Sequence, residues 1–376
     1  MTTYYALLLF TLPIPWIAKL IWPHQIKWPE LAATLAINFV VVSLLFFTGT
    51  AGQTSDREIW SGEIVNKDRK HGHYLRPYSC RCRQTCSGSG SNRSCYETCD
   101  TCYEDRYTVT WTARSNIGDF TIEHLDRGSS GVYKTVDPAR YTEINKGDPC
   151  SRSVPFTNYV KAVPESLFHA NPVILEKFKD MIPEYPGKIY DIYKINRVVS
   201  VGVSLPDMAA WNQDLSLVMR KLGPQRQVNV IIVFVNTDDP KYAHALESRW
   251  IGGKKNDAIL VVGTKKYPEI DWVHVMGWSK NQLFNVALRD EVQAMEKIDR
   301  ASIMQAVEKH VSTTFQRRHM SEFEYLKDEI EPPFWAVVMI GILGVLLSLG
   351  ASYYFYRHDP WDTGSSNGPR RYRKSY

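Results

Sequence analysis

The sequence predicts a membrane-anchored α+β protein with three transmembrane helices, a small cysteine-stapled β unit and a layered α/β domain. Three observations carry this. Three apolar stretches are long enough to cross a bilayer, six of the seven cysteines fall within residues 80–102, and strand-like runs alternate with helical ones from about residue 186. The 376-residue chain has room for one large or two modest folded domains, and its 44% hydrophobic and 23% charged residues are those of a folded chain.

A bilayer-spanning helix needs about 20 apolar residues. The first span is predicted over residues 1–22 (YYALLLFTLPIPWIAKLIW from Tyr4), with Pro13 and Pro15 expected to kink it or make it partly re-entrant. The second covers 31–50. Its TGTA ending resembles a signal cleavage site, but a signal peptide does not ordinarily follow another apolar segment. The third covers 333–356, with Phe334 and Trp335 at one interface and YYFY (353–356) at the other, as aromatic belts are placed.

Orientation follows the basic residues. The tail, 357–376, carries Arg357, Arg370, Arg371, Arg373 and Lys374 against two aspartates; the first loop carries Lys19 and Lys27, and residues 1–18 none. This predicts the N-terminus outside, the first loop inside, residues 51–331 outside and the tail inside. The expected location is the cell's inner (cytoplasmic) membrane, with the large domain in the periplasm and the tail in the cytoplasm. Tail and loop together account for most of the net +5, so the large domain is near neutral and offers no nucleic-acid surface. The tail's expected partner is the lipid bilayer, through anionic headgroups, unless it serves only as a solvated topology signal.

Residues 51–130 read as the cysteine-rich β unit, with strands from EIWSGEIV, YTVTWTA and GDFTIEHL. In an oxidising compartment its cysteines are expected to pair as disulfides. SGSGSN reads as a hairpin loop, and folding the chain about it sets Cys86 against Cys95 and Cys82 against Cys99. Cys80 then falls within one residue of Cys102, an offset that a bulge absorbs. Zinc is the alternative, held by Cys82, Cys86, Cys95 and Cys99 with His71 or His73 nearby. Cys150 is left over, as a free buried thiol or as a competitor for one of these partners. Asn92-Arg-Ser forms a glycosylation sequon, relevant only in a eukaryotic secretory host.

Residues 131–185, rich in Pro, Gly, Ser and Asn, read as a linker with short helices at PESLFHA and ILEKFKDM. From 186 to 318 the pattern is α/β. Strand-like KIYDIYKINRVVSVG precedes a helix opened by Asp207 as N-cap, with Met208, Trp211, Leu215 and Val218 at helical spacing. NVIIVFVNT reads as a strand covered on both faces. Then come the helix YAHALESRW, the strands DAILVVGT and DWVHVMGW, and helices at about 280–296 and 300–316, the last with a stripe of Ile303, Val307, Val311 and Phe315. Residues 319–332 form a juxtamembrane helix whose Phe323, Leu326 and Ile330 dock on a domain or on lipid.

The stretch YAHALESRWIGGKKNDAILVVG, followed by HVMGWS, resembles the TPM domain, found in thylakoid-lumen and photosystem-repair proteins, bacterial envelope proteins and a modulator of acetylcholine receptors. The residues matching the family pattern are Tyr242, Ala243, Trp250, Gly252, Gly253, Lys254, Lys255, Asp257, Ile259 to Val262, and Gly277-Trp278. The resemblance covers roughly 187–318. Two positions depart: the family's early Asp has no counterpart in SVGVSLPD except the shifted Asp207, and Ser279 replaces the second glycine of Gly-aromatic-Gly. More loosely, the whole arrangement is similar to uncharacterised membrane proteins of tailed bacteriophages.

The resemblance implies two functions. One is an integral membrane protein whose extracytoplasmic domain binds or modulates another membrane or envelope protein, in assembly, repair or phage-driven envelope modification. The alternative is a divalent-metal-dependent phosphatase. Candidate ligands for Ca²⁺ or Mg²⁺ are Asp257, at a Gly-rich turn before a buried strand, with Asp238 and Asp239 converging on the same rim. The candidate binding rim is Gly252, Gly253, Lys254, Lys255, Gly277 and Trp278, with Trp250 and Trp272 clustered around it. No GxSxG, HExxH, Walker or EF-hand pattern occurs.

Overall fold

A computed structural model describes residues 2–87, 94–128, 136–163, 172–190, 193–358 and 360. The Asn92 sequon, the PESLFHA helix and most of the basic tail lie outside the described residues. The chain divides into two compact units. Met1–Asp56, Phe156–His169 and Met320–Tyr376 make the first; Arg57–Pro155 and Ala170–His319 make the second.

In chain order, α1 (Thr2–Thr11), α2 (Pro13–Ile21) and α3 (Trp28–Thr54) lead into β1 (Ser55–Ser87), β2 (Ser94–Ser115) and β3 (Phe120–Gly128). Then follow α4 (Ala139–Glu143), β4 (Pro149–Thr157), α5 (Tyr159–Ala162), α6 (Pro172–Phe178), β5 (Ile189–Tyr190), β6 (Lys194–Ile195) and β7 (Val198–Val201). The α/β portion continues with α7 (Met208–Arg226), β8 (Asn229–Val235), α8 (Lys241–Trp250), β9 (Asp257–Gly263), β10 (Trp272–Gly277), α9 (Leu283–Gln293) and α10 (Arg300–Thr313). A 3-10 helix (Met320–Glu329) and α11 (Phe334–Arg357) close the described chain.

In the first unit, Thr2–Ile21, Trp28–Thr54 and Phe334–Arg357 are each long and apolar enough to cross a membrane. The expected re-entrance of the first span is not seen. Leu12 keeps helical dihedrals, its N–H still bonds Leu8 O at 2.9 Å, and Pro13 opens α2, where a missing N–H costs nothing. Thr3 bonds Glu331 just before α11, and Trp22 lies 5.0 Å from Tyr356 near its end. The first and third spans therefore run the same way and α3 runs against them.

Packing in this bundle follows small residues and interhelical polar contacts, because apolar surface alone does not drive helices together in lipid. Gly344, Ser348 and Ser352 repeat every fourth residue along α11 and are buried. Asn38 Nδ2 donates to Gly344 O at 2.9 Å and also to Ser348 Oγ, which donates to Thr11 O at 3.3 Å. A Cβ on Gly344 would stand 2.7 Å from Thr11 Cγ2 and 3.2 Å from Val42 Cγ2. Gly344→Val is therefore expected to destabilise the bundle by about 1–3 kcal/mol through overpacking, read as a lower melting temperature of the full chain in detergent. Residues Phe323, Leu326 and Ile330 are buried, as their spacing predicts, with the 3-10 helix packed on α5.

The second unit holds a sheet of order β3-β2-β1-β4 and one of order β10-β9-β8-β7. Val109, Trp111 and Ala113 alternate inward along β2, the period-two pattern legible in YTVTWTA. The expected linker at 131–185 is corrected in two places. Pro149–Thr157 is the fourth strand of the β sheet, and Phe178, Leu175, Met181 and Tyr185 pack beneath the α/β sheet.

In that sheet β7, β8 and β9 are parallel and β10 is antiparallel. Val230, Ile232 and Phe234 face α7, α9 and α10, while Ile231, Val233 and Val235 face α8 and α6. Every residue of β8 and β9 is buried. The three parallel strands are laid down in one direction although α7 and α8 cover opposite faces, so the two crossovers have opposite hands, against the strong right-handed preference. Asp207 occupies the N-cap position but is left-handed (φ 56°) and makes no capping bond; Arg300 lies 3.6 Å from its carboxylate instead.

Candidate functional site

The predicted rim assembles in part. Gly277 lies opposite Ala258 in the β9–β10 ladder, and a Cβ there would meet Asp257 O at 2.5 Å. Gly253 (φ +81°) sits where a Cβ would meet Asp257 Oδ2 at 2.8 Å, so Gly253 lets backbone close on the carboxylate while Gly277 lets β10 close on the Asp257 main-chain carbonyl. Trp278 is buried and its Nε1 donates to Gly252 O at 2.8 Å.

The expected metal ligands do not converge. Asp257 opens β9, and its register partner Asn229 opens the parallel β8. Asp238 and Asp239 follow the other end of β8. Parallel strands start at one sheet edge and finish at the other, so seven residues of strand, about 20 Å, separate the two places. Asp239 bonds Lys177 at 2.5 Å, and Asp238 lies 4.0 Å from Lys265. Trp272 likewise belongs to the far edge, donating to Thr237 O at 2.9 Å.

Asp257 instead anchors a buried network. Its Oδ1 accepts from Asn229 Nδ2 at 2.8 Å, and its Oδ2 accepts from Tyr185 OH at 2.8 Å and Lys254 N at 2.6 Å. Asn229 Oδ1 in turn accepts from Arg197 Nε at 2.8 Å. The same guanidinium donates to Ser61 Oγ at 2.6 Å and Ser151 Oγ at 2.9 Å on β1 and β4. Burial pushes the Asp257 carboxyl up to about 6, against the pull of its three donors, and lowers Arg197 to about 10.

A second buried pair stands beside it. Glu58, 1% exposed, accepts from Trp60 Nε1 at 2.7 Å and bonds Arg317, with Lys255 Nζ at 3.7 Å. Asn256 Nδ2 donates to Ile59 O at 2.8 Å. Lys254 Nζ stacks 5.2 Å over the Tyr185 ring. Both lysines of the expected rim thus serve interior contacts, and the rim is the joint between the β sheet and the α/β sheet. Arg197, Tyr185, Glu58 and Arg317 were not foreseen as its members.

The cysteines form Cys80–Cys102, Cys82–Cys99 and Cys86–Cys95, the nested ladder expected from hairpin symmetry. A bulge between Cys80 and Arg83, with Arg81 at φ 49°, absorbs the offset. Cys82, Glu97 and Cys99 place ligand atoms within 4.8 Å of one another, but the two sulfurs are bonded to each other, which leaves no thiolate there for zinc. His73 pairs with Asp105 at 2.9 Å, seven positions before Cys80. Cys150 is free and buried, and burial pushes its thiol up to about 11, so it is not a nucleophile at neutral pH.

These disulfides lie in an arm. Among the described residues the β2–β3 ladder ends at Arg106, and from Leu75 to Ser87 β1 pairs with β2 alone, over about 40 Å. Opposed residues share a face, so His73, Leu75 and Pro77 stand with Tyr107, Asp105 and Tyr103. Tyr74, Arg76 and Tyr78 stand with Arg106, Glu104 and Cys102. Both faces are open: Tyr103 is 64% exposed on the first and Tyr78 47% on the second. No family model, curated protein or solved structure matches this chain.

Proposed function

We propose that the chain is a membrane-anchored recognition module whose disulfide-stapled arm binds another membrane or envelope protein outside the cytoplasm. The α/β sheet acts as a scaffold of TPM type with its family rim closed on the β unit. The observation that carries this reading is the arm itself. A two-stranded ribbon with both faces open contributes nothing to a core, yet it is held by three cross-links and displays tyrosine and arginine, the residues that dominate binding hot spots. The metal-dependent phosphatase gains no support from Asp257, whose two oxygens already accept three hydrogen bonds from donors of the chain.

The test is affinity purification of the tagged full chain from native membranes, wild type beside Leu75→Ala/Tyr103→Ala. A specific partner should fall by at least about tenfold in the variant; equal recovery would remove the arm as the binding element. The orientation has its own test. A reporter active only outside the cytoplasm should give signal when fused near residue 330 and none at residue 376, and the reverse would place the arm in a reducing compartment.

A further inference from the structure

The two strands of the arm carry opposite charge. From Tyr74 to Ser87, β1 holds Arg76, Arg81 and Arg83 and no acid. From Ser94 to Asp105, β2 holds Glu97, Asp100, Glu104 and Asp105 and no base. Nearer the base the charges are used within the arm: Arg76 lies 3.7 Å from Glu104, and His73 pairs with Asp105. Toward the tip, Arg81, Arg83, Glu97 and Asp100 are exposed and join no ion pair among the described residues. No described strand pairs with the outer edge of either arm strand there, so each presents a row of backbone donors and acceptors.

We propose that the arm pairs edge to edge with the arm of a second copy of this chain, the basic β1 edge of one against the acidic β2 edge of the next. Copies anchored in one membrane share one orientation. When two arms point the same way, β1 of one runs from base to tip beside β2 of its neighbour, which runs from tip to base. That is the antiparallel ladder. Pairing β1 with β1, or β2 with β2, would set like charges in register, which cross-strand positions disfavour. Pro77 withholds one donor from β1, so the ladder occupies the tip-ward stretch, where the unpaired charges lie. The disulfides hold the two strands of the arm together before contact, so little ordering is lost on pairing. Each copy offers β1 to one neighbour and β2 to the other. Such a heterologous contact closes into a ring or continues as a row in the membrane plane. The arm's faces stay open, so this association is separate from partner binding.

Charge exchange in the full chain tests it, with mass in mild detergent measured by light scattering and disulfides checked by non-reducing peptide mapping. Wild type should be oligomeric, and less so at high salt. Arg81→Glu/Arg83→Glu and, separately, Glu97→Lys/Asp100→Lys should each weaken self-association by about tenfold. The chain carrying all four changes should recover it, and a mixture of the two double variants should form mixed assemblies. A monomeric wild type would overturn the proposal, as would assembly indifferent to either exchange, or loss that the fourfold variant does not restore.

Discussion

Asp257→Ala should cost the second unit about 3–5 kcal/mol, the range for breaking a buried charged network from one side, or a fall on the order of 10 °C in melting temperature. The substitution strands Asn229 Nδ2, Tyr185 OH and Lys254 N, all donors that meet the carboxylate inside the protein. It also removes a negative charge that offsets part of the burial cost of the Arg197 guanidinium. Asp257→Asn keeps the shape but turns an amide N–H towards groups that donate, so it should be destabilising as well. The pH dependence separates this role from metal binding. Burial raises the carboxyl from 3.8 to about 6, so between those values the folded state holds a proton that the unfolded chain has released. Stability from this group is therefore full below about 4 and falls by about 3 kcal/mol as pH rises to about 6. Burial also raises Glu247, so the informative quantity is the wild-type curve minus the Asp257→Asn curve, measured as melting temperature from pH 4 to 7. Asp126, Asp137 and Glu291 are held low by hydrogen bonds from Tyr74, Trp111 and Lys309 respectively, and their contributions disappear only under more acid conditions. A difference curve that is flat, or an Asp257→Ala protein as stable as wild type, would remove Asp257 from the joint.

What the sequence made legible follows from the range of the interaction involved. The strands NVIIVFV and DAILVVG are continuous apolar runs because both faces are covered, and that cause is local to each run. The cysteine pairing was legible because a hairpin reflects the chain about one loop, so distance from the loop fixes the partner. Strand β4 was missed because PCSRSVPFT mixes two prolines with an arginine and serines, and its pairing with β1 rather than its own pattern makes it a strand. Arg197 sits in the strand-like KINRVVSV with no local mark of its role. Its partners Asn229 and Ser61 lie 32 and 136 positions away, and no local period encodes them. The convergence expected of Asp238, Asp239 and Asp257 failed for a geometric reason: one closing and one opening residue of neighbouring parallel strands stand at opposite edges. At two of the rim glycines the close neighbour is the protein's own Asp257, its carboxylate at Gly253 and its main-chain carbonyl at Gly277.

Reducing the three disulfides should melt the arm and leave the rest of the second unit folded. An isolated two-stranded hairpin is marginal in water, and the arm from Leu75 to Cys86 and Cys95 to Asp105 joins none of the unit's buried clusters among the described residues. The cross-links close separations of 22, 17 and 9 residues, each worth about 3 kcal/mol in the chain-entropy picture, with less than full additivity because they are nested. That is enough to change the arm from folded to mostly open. Hydrogen exchange on the full chain, oxidised and after reduction or with all six cysteines replaced by serine, should show protection lost over 75–87 and 94–105. Protection in β8 and β9 should stay within about twofold, since their stability comes from the burial on both faces of the α/β sheet. An arm that stays protected without its disulfides would mean that another surface supports it. Loss that spreads to β8 and β9 would mean that the arm is part of the folding core, and a binding element that unfolds its own scaffold on reduction is a poor module for recognition.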